Sequence, residues 1–178
     1  MGKSYNYAVK AMSSRVPMIL IVDPERCTGC RICEVVCSFA HYREFNPRRA
    51  RITVLRDPER GVNLPMVCQQ CEEAPCITTC PTGATYREEE TGPVLIDYEK
   101  CIGCKTCIAV CPFGGNSLDY VTHKPIKCDL CDGDPECVKY CVEKAIEFVP
   151  VTVFNVIKKK RSLEKITRLI ELVLPRIP

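Results

Sequence analysis

The stretch CIGCKTCIAVCP, residues 101–112, places Cys101, Cys104, Cys107 and Cys111 within eleven positions. The first three are too close together to share one face of a helix or of a strand, so the backbone must loop around whatever their sulfurs hold. Gly103 lies inside that loop, where a positive φ or a close backbone approach excludes a side chain. The last gap sets Cys107 and Cys111 four residues apart, at helical reach, and Pro112 follows. The same spacing, C-x2-C-x2-C-x3-C, returns in CTGCRICEVVC, residues 27–37, with Cys27, Cys30, Cys33 and Cys37, and Gly29 in the matching place. Two looser versions complete the set: Cys68, Cys71, Cys76 and Cys80, followed by Pro81, and Cys128, Cys131, Cys137 and Cys141. Four groups of four account for all 16 cysteines of the 178 residues.

A chain of this length can bury a core without covalent staples, so the cysteines need another purpose. Disulfides belong to exported chains. The opening residues, MGKSYNYAVKAMSSRVPMILIVD, lack the apolar core and cleavage site of a signal peptide. The expected setting is therefore cytoplasmic, at most peripheral to a membrane, and no apolar run approaches the length of a membrane span. Zinc knuckles use two cysteines, a long loop and two more ligands. Here the third and fourth cysteines follow closely four times over, and His41 and His123 are not at zinc-finger spacing. The C-x2-C-x2-C-x3-C run is instead that of bacterial [4Fe-4S] proteins, in which three thiolates hold one cluster and the fourth reaches another. Sixteen ligands predict four [4Fe-4S] clusters.

The chain also repeats itself. Residues 20–30, LIVDPERCTGC, match residues 94–104, VLIDYEKCIGC, and residues 80–86, CPTGATY, correspond to residues 141–147, CVEKAIE. Strands are thus expected before groups one and three and after groups two and four. The strands at 85–87 and 94–97, joined by a turn containing Gly92 and Pro93, bring groups two and three together. By the same logic a strand at 18–23 pairs with one at 146–151 and closes group one onto group four. The expected fold is α+β: two bacterial-ferredoxin-like two-cluster modules, with the inner one (68–117) inserted in the outer one (18–42 and 118–153), a hairpin insertion at 43–67, and a tail at 154–178 with an amphipathic helix. If ligation crosses over, the sets are Cys27, Cys30, Cys33 and Cys141; Cys128, Cys131, Cys137 and Cys37; Cys68, Cys71, Cys76 and Cys111; and Cys101, Cys104, Cys107 and Cys80. Ligation by each group alone is the alternative.

The four-group order, the two CxxCxxCxxxC runs and the PTGAT turn at 81–85 resemble the four-cluster ferredoxin subunits of multisubunit oxidoreductases. These serve molybdenum and tungsten enzymes of the DMSO reductase and aldehyde oxidoreductase types, and have relatives beside CO dehydrogenase and formate-linked hydrogenases. The resemblance covers about residues 18–150 and implies a near-linear wire of four clusters beside a catalytic oxidoreductase subunit, passing electrons to a soluble ferredoxin or a further subunit. The short length and the CSFAHYREFNPRRARI stretch, residues 37–52, are closer to the compact subunits of aldehyde oxidoreductase-type or CO dehydrogenase catalytic chains.

Other features refine this expectation. No Ser-His-Asp arrangement, dinucleotide fingerprint or phosphate loop occurs, and with every cysteine used as a ligand no iron is left open to substrate, so the chain is expected to transfer electrons without catalysing bond chemistry. An independent soluble polyferredoxin is the alternative; a redox sensor would have an incomplete ligand set. The hairpin at 51–67 reads as a lid over a cluster or as a docking surface, and Arg48, Arg49 and Arg51 as a solvated face or as partners for acidic groups on a partner protein. Lys105 and Arg31 stand at equivalent loop positions, where a cation favours the reduced cluster. The apolar face from Leu163 to Leu174 must bury against its own chain, a partner or a membrane surface. Finally, the formal charge of +3 counts thiols as neutral; with sixteen thiolates and four oxidised cores it becomes roughly −5, which removes any case for a nucleic-acid partner.

Overall fold

The computed structural model describes residues 16–89 and 92–154; the amphipathic segment from Leu163 to Leu174 and the basic run at 158–161 lie outside the described residues. The fold is α+β, with short helices and four two-stranded antiparallel sheets.

Strand β1 (Met18–Val22) pairs with β8 (Ile146–Pro150), matching Met18 to Pro150 and Val22 to Ile146, so the two ends of the cysteine-bearing region meet. Strands β2 (Ile52–Asp57) and β3 (Val62–Val67) form the hairpin between groups one and two. Its turn has the expected chemistry: the Asp57 carboxylate accepts from the Arg60 N–H, and Gly61 supplies a φ of +64°. Strands β4 (Thr85–Arg87) and β5 (Val94–Ile96) pair between groups two and three. A fourth pair, β6 (Asn116–Leu118) with β7 (Pro125–Lys127), separates groups three and four. The sequence reading missed this pair because three-residue strands carry too little alternation to register. With β3 leading into Cys68 and β7 into Cys128, every cysteine group, not only groups one and three, is entered from a strand.

Helix α1 (Ile32–Tyr42) carries both Cys33 and Cys37. In the other groups the helix is a single turn holding only the third cysteine: α2 (Pro75–Thr78) with Cys76, α3 (Thr106–Ala109) with Cys107 and α4 (Glu136–Lys139) with Cys137. The fourth cysteine then lies beyond the helix end. Pro81 and Pro112 prevent continuation in groups two and three, whereas Ser38 lets α1 run on.

The larger apolar cluster gathers Leu20, Ile52, Val54, Val67, Leu130 and Ile146 with Cys33, Cys37, Cys68, Cys128 and Cys137; the smaller joins Ala74 and Val94 to Cys76 and Cys107. Among the described residues seven of the twenty buried hydrophobic ones are cysteines, so this core is built around the sulfurs and depends on what they bind.

Candidate metal centres

The four cysteine loops share one backbone device. The residue just before the second cysteine is left-handed in every group: Gly29 at φ +70°, Gln70 at +50°, Gly103 at +72° and Leu130 at +62°. The glycines adopt this conformation freely, whereas Gln70 and Leu130 adopt it at a cost of roughly 1 kcal/mol or more each. Arg31 and Lys105, after the second cysteine of groups one and three, are left-handed as well. Such reversals fold the loop inward and turn backbone N–H groups toward a central anion.

A second regularity concerns the fourth cysteine of each group, whose sulfur accepts a backbone N–H. Thr85 donates to Cys80 (3.4 Å), Gly115 to Cys111 (3.2 Å) and Ala145 to Cys141 (3.2 Å), four or five residues downstream in each case. Cys37, continuing into α1, accepts instead from Arg51 at 3.3 Å, across the hairpin insertion. Donors aimed at sulfur favour its anionic, metal-ligating form.

The cysteines gather across groups. Cys27, Cys30, Cys33 and Cys141 line one cavity of about 150 Å³. Cys37, Cys128, Cys131 and Cys137 line a second, and Cys68, Cys71, Cys76 and Cys111 a third. The remaining four are also neighbours: Cys101 and Cys104 add like-charge repulsion to the burial that raises the Cys107 thiol, and Cys80 repels Cys104, whose pKa the Thr106 hydrogen bonds nevertheless lower. The same repulsion links the sets in a row. Cys33 acts on Cys137, Cys68 on Cys128, and Cys76 on Cys107. Exposure follows this row, since Cys30 and Cys104, in the two end sets, are exposed, and none in the middle sets is.

All sixteen thiols are free. Burial is the main influence pushing Cys33 up to about 12 and Cys107 up to about 11, and it drives Cys128 and Cys137 up as well. Buried sulfurs crowded in this way repel one another once ionised and need positive charge among them, which bound iron provides. The donor set, the loop reversals and the N–H groups aimed at sulfur all fit [4Fe-4S] clusters, which supply one-electron redox chemistry when bound.

The surrounding charges are largely paired within the chain. Arg49 makes a two-point contact with Asp119, both bonds 3.0 Å, reaches Glu44 at 3.0 Å and stacks 3.8 Å over Tyr42. Arg51 pairs with Asp129. Both are thus internal struts, contrary to the reading of this run as a solvated or partner-facing face. His41 is hydrogen-bonded at both ring nitrogens: its Nδ1 meets the Cys37 carbonyl at 2.8 Å and its Nε2 the Asp129 carboxylate at 3.1 Å. Burial disfavours its charged form, but these bonds outweigh burial and raise its pKa to about 10. Arg31 donates to Glu34 at 2.7 Å, so much of the charge expected to act on its cluster is spent on a carboxylate.

Comparison with known families agrees with this chemistry. The 4Fe-4S dicluster domain family matches residues 59–151, and a 4Fe-4S binding domain matches residues 19–42. The chain belongs to this 4Fe-4S ferredoxin-type family and is an iron-sulfur electron-transfer protein. It is 37% identical over 136 residues to the aliphatic sulfonate oxidoreductase, polyferredoxin-like subunit, of Pyrococcus furiosus, covering 76% of this chain and 78% of that one. It is 35% identical over 144 residues to the thiosulfate reductase electron transfer subunit PhsB of Salmonella typhi, covering 73% and 74%. Among solved structures, the active site complex BamBC of benzoyl coenzyme A reductase with 1,5-dienoyl-CoA aligns at 31% identity and a TM-score of 0.48, over 76% of this chain and 77% of that one.

Proposed function

We propose that this chain is the electron-transfer subunit of a cytoplasmic oxidoreductase complex, relaying single electrons between a catalytic subunit and a carrier or further subunit. Four [4Fe-4S] clusters are held by crossed-over sets: Cys27, Cys30, Cys33 and Cys141; Cys37, Cys128, Cys131 and Cys137; Cys68, Cys71, Cys76 and Cys111; and Cys80, Cys101, Cys104 and Cys107. The observation that carries this reading is the sharing of cavities, in which three cysteines of one group meet the fourth of another. The same sharing supports two nested two-cluster modules, groups two and three inside groups one and four.

The two end sets suit contact with other proteins. Tyr140 and Val142 are exposed on either side of Cys141, and Ile102 is exposed between Cys101 and Cys104. The named subunits of sulfonate and thiosulfate oxidoreductases support a catalytic partner, and the resemblance carried by the cysteine runs makes that partner one of the molybdenum or tungsten kind. Affinity purification of the chain from its host, under anaerobic conditions, tests the assignment. A co-purifying catalytic chain is expected, whereas a monodisperse, fully competent single chain would establish an independent polyferredoxin. Ligation is tested by single Cys→Ser variants read by electron paramagnetic resonance. Cys27→Ser and Cys141→Ser must alter one and the same cluster signal, and Cys37→Ser a different one; a shared signal for Cys27 and Cys37 would mean ligation by each group alone.

A further inference from the structure

Buried and half-buried acids among the described residues have partners of opposite sign: Glu34 has Arg31, Asp119 has Arg49, and Asp129 has Arg51 and His41. Lys127 differs. It is 3% exposed, and its Nζ donates to the Val94 carbonyl. Among the described residues no carboxylate lies within ion-pair distance of it. Taking an ammonium out of water is costly, and one neutral carbonyl does not compensate for it. A counter-charge must be near, and the third cavity supplies the candidate, since Lys127 lines it together with Cys68, Cys71, Cys76 and Cys111.

Its position is fixed by a buried polar network. Gln70 donates from Nε2 to the Cys128 carbonyl at 2.9 Å and accepts the Val94 N–H at 2.8 Å, while Lys127 takes the Val94 carbonyl. Val94 is thereby held on both sides, and the ammonium is held beside the sulfurs.

We propose that Lys127 is the built-in counter-cation of the cluster at Cys68, Cys71, Cys76 and Cys111, and that its fixed charge raises that cluster's reduction potential. On reduction the cluster gains one electron and one further negative charge, with no proton transferred, so a buried cation stabilises the reduced form more than the oxidised one. The two cations that the sequence nominates for tuning, Arg31 and Lys105, are exposed, and the first is neutralised by Glu34. This inference rests on reading those four cysteines as one ligand set.

The test is an anaerobic redox titration of the full-length holoprotein, followed by electron paramagnetic resonance, on Lys127→Gln and Lys127→Arg. Glutamine can still donate to the Val94 carbonyl but carries no charge. In Lys127→Gln the reduced-to-oxidised ratio of one cluster at fixed potential should fall at least tenfold, equivalent to 59 mV for a one-electron couple, while Lys127→Arg stays near wild type. The shifted signal must be the one altered by Cys76→Ser. If Lys127→Gln loses that cluster and Lys127→Arg keeps it, the charge is needed for assembly, which also supports the proposal. All four potentials unmoved in an iron-replete Lys127→Gln protein would overturn it, as would equal cluster loss in both variants. Should Cys76→Ser and Cys111→Ser affect different signals, the ligand set itself fails, whatever Lys127→Gln does.

Discussion

Replacing Asp119 with asparagine should weaken the attachment of the hairpin insertion to the strands that follow group three. Asp119 is 1% exposed. Burial alone would raise its pKa, but the Arg49 guanidinium, the Thr122 hydroxyl and the Val121 N–H outweigh burial and hold it at about 2, against an ordinary value of 3.8. That depression corresponds to about 2 kcal/mol of stability. Because the folded pKa lies below the unfolded one, the contribution is complete above about pH 4 and is lost as pH falls through about 2. Cluster loss makes unfolding irreversible, so the appropriate readout is a rate: bleaching of the visible absorption at fixed urea under anaerobic conditions. If the ion pair breaks before the unfolding barrier, Asp119→Asn should bleach up to about thirtyfold faster. The ratio should be equal at pH 8 and pH 5.5 and shrink below about pH 4. Equal bleaching rates at pH 7, or a ratio that changes between pH 8 and pH 5.5, would refute the role assigned to this pair.

Three further outcomes are expected. A Cβ on Gly115 would lie 2.6 Å from the Cys68 Cα, whereas one on Gly103 would meet nothing closer than the His123 carbonyl at 3.7 Å. Gly115→Ala should therefore cost about 1–3 kcal/mol through overpacking and perturb a cluster spectrum, while Gly103→Ala should cost about 1 kcal/mol through its left-handed backbone; comparative urea bleaching ranks them. Glu34, 1% exposed, accepts from the Val54 N–H at 2.6 Å and from Arg31. Glu34→Ala strands that buried donor and should destabilise by about 1–3 kcal/mol, with Glu34→Gln intermediate, as measured by the same bleaching series. Iron analysis should give about 16 Fe per chain, and anaerobic chelation should abolish near-ultraviolet circular dichroism, because buried cysteines make up so much of the core.

Much of the architecture could be read from the sequence because ligand spacing is local. The β1–β8 and β4–β5 pairs followed from duplicated segments beside the cysteines, and the left-handed turns at Gly29 and Gly103 from residue type alone. Gln70 and Leu130 occupy the same backbone position without glycine's signature, so nothing marked them. Arg49 and Arg51 looked like a charged surface run because their partners, Asp119 and Asp129, lie 70 and 78 residues away. Lys127 was invisible for the same reason: a lysine beside a cysteine reads as solvated until β5 and β7 bring Val94 against it. The three-residue strands of the β6–β7 pair were lost to brevity, and of the two groups without a following proline only group one has a helix that carries both the third and the fourth cysteine.

The pairing of β1 with β8 sets a schedule for synthesis. The ribosome delivers the β2–β3 hairpin, the β4–β5 pair and the β6–β7 pair as contiguous units, each able to close as soon as its second strand emerges. Strand β1, although made first among the paired strands, has no partner until Ile146–Pro150 appears, and in the proposed ligand set Cys27, Cys30 and Cys33 wait with it for Cys141. Iron loading should therefore proceed from the middle of the chain outward, and a stalled or truncated chain ending before residue 146 would expose unpaired β1 and three unsheltered thiols. The β1–β8 pairing, with the proposed set of Cys27, Cys30, Cys33 and Cys141, would thus also make completion of that centre a report that translation has passed β8.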